Sequence, residues 1–268
     1  MDDRSRYLRK LILDGFTSAK RGHLAPAFSL VEILRVLYDD ILKYDPVNPS
    51  WEERDRLILS KGHGCLALYA ILVDKGFFSK EELTKFCSMN GILGGHPEIK
   101  IPGVEASTGS LGHGLAIGIG MAIGAKLKKK NWRVFVILGD GECNEGSIWE
   151  SALIAAKHNL SNLCVIIDYN KFQSYGHVIE VSNLANLMEK WCAFGFDVKE
   201  VDGHSVNELK EVFQDFPFHS DRPSVVICHT IKGKGIDFVE NNLSWHHKSN
   251  FSHEDIKKLY GALGEYNA

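Results

Sequence analysis

The stretch VILGDGECNEGSIWE, residues 136–150, runs an apolar segment into two glycines flanking Asp140 and then into a helix-like pattern. A buried strand, a tight turn and a helix in that order form the unit from which parallel α/β proteins are built. The unit recurs on both sides of it. Short β-branched runs end in polar turns at RLILSKGHG (56–64), RVFVILGDGE (133–142), LCVIIDYNK (163–171), FDVKEVDGHS (196–205) and SVVICHTIKGKG (224–235). Helical patterns lie between them at residues 29–42, 110–130, 145–160, 183–194 and 205–216. The alternation predicts an α/β fold, a mainly parallel sheet with helices on both faces. No repeat, low-complexity tract or linker interrupts it, so one domain over residues 1–268 is expected, with residues 1–55 as a helical lead-in. The glycines at 112, 114, 118, 120 and 124 fit either tight internal packing or a contact between protomers.

Composition narrows the function classes. With 31 basic against 34 acidic residues, the formal charge of −3 leaves no excess of cations for a nucleic-acid backbone. The basic run KLKKK at 126–130 follows a helical pattern, where cations complement the helix C-terminus. The longest apolar stretch, LAIGIGMAIGA (115–125), falls short of the ~20 residues a bilayer span needs. Six cysteines never adopt C-x-x-C spacing, and the charged opening MDDRSRYLRK carries no signal-peptide pattern. Reduced thiols in a cytoplasmic protein are the expectation, with no membrane or nucleic-acid partner.

Ligands of open parallel sheets bind beyond the carboxyl ends of the strands. Asp140 stands at one such end, and a right-handed crossover through 145–160 returns the chain on the strand 163–168, so that DYN emerges on the same edge. Asn170 is therefore expected near Asp140. A carboxylate, an amide oxygen and a main-chain carbonyl are hard ligands suited to Mg²⁺, which usually shares its shell with phosphate oxygens. Gly139 and Gly141 let the backbone turn closely, and amides opening the next helix offer donors to an anion. An aspartate in such a turn also serves as a helix cap, and GDG alone does not separate the two readings.

GDG followed about thirty residues later by asparagine resembles the thiamine-diphosphate fingerprint. Within that superfamily, RGHLAPAFSLVEIL (21–34), ILSKGHGCLALYA (58–70), GGHPE (94–98), GVEASTGSLGHG (103–114) and SWHHK (244–248) resemble transketolase, in the family's order and over nearly the whole chain. The resemblance implies the diphosphate-domain fold, with thiamine diphosphate and Mg²⁺, or Ca²⁺ or Mn²⁺ in its place. It implies Asp140, Asn170 and the carbonyl of Phe172 as metal ligands. It brings His63, Gly141 and His246 toward the diphosphate and Lys232 near the cofactor entrance, includes Gly139 and Glu142 among the cofactor-binding residues, and lays Gly109, Ser110 and Leu111 against the aminopyrimidine. His23, His63, His96 and His246 would contact donor-sugar hydroxyls or move protons, with Glu145 and Glu150 near the contact between paired active sites. Of the two histidines in SWHHK, the family's W-H-G pattern favours His246 over His247. Two positions depart from many full-length relatives, Ser110 for proline and His113 for glutamine.

In transketolases, the glutamate that promotes loss of the cofactor's C2 proton lies in a second, pyrimidine-binding domain. The sequence stops just beyond the first domain, so that part is expected on another polypeptide. The resemblance thus implies the amino-terminal subunit of a two-chain enzyme, an α2β2 assembly moving a two-carbon ketol unit from a ketose to an aldose. The diphosphate-binding subunit of a two-chain 2-oxo-acid dehydrogenase shares GDG and the asparagine but has no reason to carry the histidine set. A non-catalytic cofactor-binding module is the alternative from another class.

Overall fold

The computed structural model describes residues 1–264 except 175, 185, 246, 247, 249 and 250. Three helices come first, α1 (Asp3–Ala19), α2 (Leu24–Phe28) and α3 (Val31–Val36), the last continuing into a π-helical turn, Leu37–Ile41. Strand β1 (Arg56–Leu59) leads into α4 (Cys65–Asp74), and a long loop region precedes α5 (Gly114–Leu127). Then β2 (Val134–Gly139), α6 (Gly146–Lys157) and β3 (Leu163–Tyr169) complete the unit read first in the sequence. The short helices α7 (Val178–Val181) and α8 (Leu187–Ala193) precede β4 (Asp197–Asp202), α9 (Val206–Gln214), β5 (Ser224–His229) and α10 (His253–Ala262).

All five strands pair in parallel, in the order β1-β2-β3-β5-β4. The central strands are buried on both faces, which explains their unbroken β-branched composition. Alternate side chains feed two cores. Phe135, Ile137, Cys164, Ile166, Val226 and Cys228 meet the first four helices and α9, whereas Val134, Val136, Leu138, Val165, Ile167 and Ile227 meet α5, α6 and α8. Strand β4 is an edge, and its charged sequence DVKEVD suits a strand half open to water.

The glycines of α5 divide into two groups. Gly114 and Gly118 pack inward, the first on Ser60 and the second on Val136, so tightly that a methyl group at either would collide. Gly120 and Gly124 face nothing within 4 Å. Helix α4 has no counterpart among the helical patterns of the sequence, because CLALYAILVD is apolar all round and shows no helical period.

Parallel pairing places the ends of β1, β2, β3 and β5 side by side. Their turns carry Ser60-Lys61, Gly139-Asp140, Asp168-Tyr169-Asn170 and Thr230-Ile231-Lys232. Functional chemistry therefore collects along one edge of the sheet.

Candidate active site

A cavity of about 460 Å³ opens beyond that edge. Asp140, 2% exposed, stands at its floor. Its Oδ1 accepts the Gly141 N–H at 2.7 Å and its Oδ2 the Lys171 N–H at 2.5 Å. The aspartate thus caps the 3₁₀ turn Gly141–Asn144 and also clasps the turn after β3, so the capping role expected of a GDG aspartate is real and leaves the carboxylate at the cavity floor. Burial and the nearby Asp168 carboxylate push its pKa up to about 7, against the pull of those two N–H donors.

Asn170, 5% exposed, and Phe172 line the same cavity. The Asn170 Oδ1 accepts the Phe172 N–H at 3.1 Å, which fixes the turn that carries both groups. The Phe172 carbonyl accepts from the Lys232 ammonium at 3.0 Å. Three residues that carry oxygens of the kind a hard divalent cation prefers therefore line one crevice, with a lysine already supplying positive charge to one of them. Burial and neighbouring Lys61 lower the Lys232 pKa to about 7. The residues fit a metal-bound diphosphate: oxygen-bearing side chains suited to the cation lie beside Lys61 and Lys232, whose charges suit phosphate oxygens.

Two residues with no role in the sequence reading support this floor. Lys61 and Asp168, 1% and 0% exposed, form an ion pair beneath the cavity. Asp168 also accepts from Ser29 at 2.7 Å and from Thr230, and these partners hold its carboxyl low despite burial that works the other way. Both lie inside strand-end motifs, but a pair separated by 107 positions has no local signal.

Glu142 lines the cavity, yet its carboxylate is turned into the protein. It accepts from Ser60 Oγ, from Gly112 N–H at 2.8 Å and from Gly139 N–H at 3.1 Å. The side chain thereby joins the ends of β1 and β2 to the loop at 109–112. Burial raises its pKa.

His23, His63 and His96 stand together on the cavity wall, the rings of His23 and His63 5.7 Å apart and nearly perpendicular. Gly109 adopts φ +145°, and a side chain there would strike the His96 ring at 2.8 Å, so glycine lets the loop lie against the histidine. Gly139, Gly141, Leu111 and Glu145 also border the cavity. Ser110 is exposed and does not line it, nor does Glu150, exposed on α6. His246 and His247 lie outside the described residues.

Strand ends that bring a carboxylate, an amide and two lysines into one crevice define an α/β diphosphate-binding domain. The family described as "Transketolase, thiamine diphosphate binding domain" matches residues 2–267. One of the subunits of the apulose-4-phosphate transketolase of Phocaeicola vulgatus is 41% identical over 239 residues, 89% of this chain and 85% of that protein. The 6-deoxy-6-sulfo-D-fructose transketolase subunit SqwG of a Clostridium species is 38% identical, over 92% of this chain and 90% of its own. The solved transketolase of Campylobacter jejuni superposes with a TM-score of 0.91 at 32% identity, covering 98% of this chain and 42% of that one. The chain belongs to the transketolase family, as its thiamine-diphosphate-binding domain, and is one of the subunits of a transketolase-type enzyme of ketol transfer. It spans 42% of the length of human transketolase, to which it is 35% identical.

Proposed function

We propose that the chain acts with a separate carboxy-terminal subunit, which carries the pyrimidine-binding domain, in an α2β2 assembly. Residues 1–268 act there as a single diphosphate-binding unit. The two relatives named as subunits are matched over 85% and 90% of their own lengths, which supports a division of the enzyme at this point. Their names carry a phosphate and a sulfonate, and sugars bearing such an anion are the substrate class we assign here.

The observation that carries this reading is the convergence of Asp140, Asn170 and the Phe172 carbonyl with Lys61 and Lys232 beside three histidines. Asp140, Asn170 and the carbonyl would hold Mg²⁺, while Lys232 and His63 meet the diphosphate oxygens. When bound, thiamine diphosphate would supply a nucleophilic carbon to join the ketose carbonyl and a cationic ring to take up the electrons of the breaking carbon–carbon bond. The chain's own contribution is positioning and proton transfer. His23 and His96 hold the donor's hydroxyls, take the proton from its C3 hydroxyl as the C2–C3 bond breaks, and return one to the aldehyde oxygen of the acceptor. Glu142 keeps the 109–112 loop in place for the cofactor ring. His246, assigned from the sequence, would complete the donor side. The six cysteines are all free, which supports a cytoplasmic setting. Among the described residues no helix is long and apolar enough to cross a membrane.

Titration calorimetry tests the metal centre. In the assembled complex, Asp140→Ala should lower thiamine diphosphate affinity at least about tenfold in Mg²⁺ and leave little difference between Mg²⁺ and chelator. Unchanged affinity would remove the assignment.

A further inference from the structure

His23 precedes α2 and His63 sits in the 3₁₀ turn Gly62–Gly64 that opens α4, but His96 lies exposed in the long loop at 86–113, where no helix or strand sets its place. Its support comes from α4. Tyr69, 0% exposed, shares its hydroxyl proton between the carbonyls of His96 at 2.8 Å and Gly94 at 3.1 Å. One turn earlier on the same face of the helix, the Cys65 thiol donates to the Gly95 carbonyl at 3.2 Å. Three consecutive carbonyls, 94–96, are therefore held by two side chains of one helix. The Pro97 carbonyl accepts the Thr108 N–H at 3.1 Å, which ties the loop to the stretch before Gly109, where the missing side chain leaves room for the His96 ring. The Tyr69 ring itself is held by packing, with Phe86 at 6.2 Å between centroids, so ring and hydroxyl have separable roles. Burial pushes the Tyr69 pKa up, and the hydroxyl remains a donor.

We propose that Tyr69 is a positioning residue for His96: through the carbonyls of residues 94 and 96 its hydroxyl sets where the imidazole stands against the donor sugar. The inference rests on the sugar-transferring function proposed above. Tyr69 does not line the cavity, so any effect on turnover has to pass through the loop. The carbonyl carbon of residue 96 is bonded to the Cα that carries the imidazole, and a carbonyl released from its donor lets that Cα turn. The hydroxyl carries more of this tie than Cys65 does, because a thiol is the weaker donor. Since α4 starts at the turn that carries His63, one helix also sets two histidines of the wall relative to each other. A proton-transferring group displaced by ~1 Å loses about 100-fold in rate, so a buried hydroxyl outside the cavity is enough to matter.

Tyr69→Phe keeps the buried ring and removes only the donor. In the assembled, cofactor-loaded complex it should lower single-turnover cleavage of a phosphorylated ketose by about 10- to 100-fold, with thiamine diphosphate affinity unchanged in calorimetry. Introduced into a His96→Ala background, the same substitution should cost less than about twofold, because a residue that acts through His96 has nothing left to act on. Equal loss in both backgrounds would overturn the proposal, since a general loosening of the fold gives that result. No loss in either, or an equal fall in cofactor affinity, would overturn it too. A second readout needs no turnover. In the complex carrying ¹³C at the histidine Cε1 positions, the His96 resonance, assigned by its absence in His96→Ala, should move or broaden in Tyr69→Phe, while that of His204, held at both ring nitrogens, stays in place. An unmoved His96 resonance would overturn the tie. If wild type cleaves no ketose at all, the proposed function falls, and the resonance still decides whether Tyr69 positions His96.

Discussion

Lys61 and Asp168 meet beneath Asp140 with almost no water on either side chain. Removing one member of such a pair leaves the other charged and buried, so Lys61→Met should cost about 3–5 kcal/mol in chemical denaturation, and a loss below about 1 kcal/mol would mean the pair does not support the floor. Asp140 itself makes a pH prediction for the metal-free chain. Its folded pKa, about 7, lies above the ~3.9 of an unfolded aspartate, so the folded state binds the extra proton. Stability from this group is therefore present at low pH and lost as pH rises from about 4 through 7. The difference in melting temperature between wild type and Asp140→Asn, followed from about pH 4.5 to about pH 7.5 in chelator, should move against wild type as pH rises. A flat difference would contradict it. Asp140 and Asn170 are legible in the sequence because consecutive parallel strands place their ends together. Lys61 and Asp168 are not, since a buried ion pair is made by the sheet order β1-β2-β3 and leaves no spacing of its own.

Helices reach the site through a second buried network. Arg9 on α1 donates to Glu32 on α3 at 2.6 Å and to the Lys234 carbonyl at 2.7 Å. His204 donates from Nδ1 to the same glutamate, while its Nε2 accepts the Ile231 N–H at 2.8 Å, which fixes the tautomer. The turn that carries Lys232 is thus tied at Ile231 and Lys234 to elements outside the cavity. Glu32→Gln should weaken diphosphate binding several-fold although residue 32 does not line the cavity, and unchanged binding would show that the tie is inert. Burial opposes ionisation of Glu32, but hydrogen bonds from His204 and Arg9 prevail and hold its pKa at about 2. Its contribution is complete above the ~4.3 of an unfolded glutamate and disappears as pH falls through about 2. Acid titration of Glu32→Gln against wild type reads that window. The five strands and the helices α5, α6, α8 and α9 are legible from period and turn chemistry. Helix α4 is hidden by its uniform apolarity, and the long loop at 86–113, which supplies His96 and Gly109, follows no period.

At the scale of the molecule, one sheet edge collects a charged floor, a histidine wall and a groove beyond it, while α5 leaves Gly120 and Gly124 open to the outside. The chain is the thiamine-diphosphate-binding domain of a transketolase-type enzyme. Among the carboxylates that line the cavity, Asp140 clasps two turns, Glu142 is engaged by three donors, and Glu145 borders the exposed rim. The central claim is that catalysis needs a second polypeptide. Its most direct measurement is ketol transfer from a phosphorylated ketose to an aldose, with thiamine diphosphate and Mg²⁺ present, by the purified chain alone and after addition of the proposed carboxy-terminal subunit. The account predicts no turnover by the chain alone and sustained turnover on reconstitution. Robust turnover by the chain alone would contradict it.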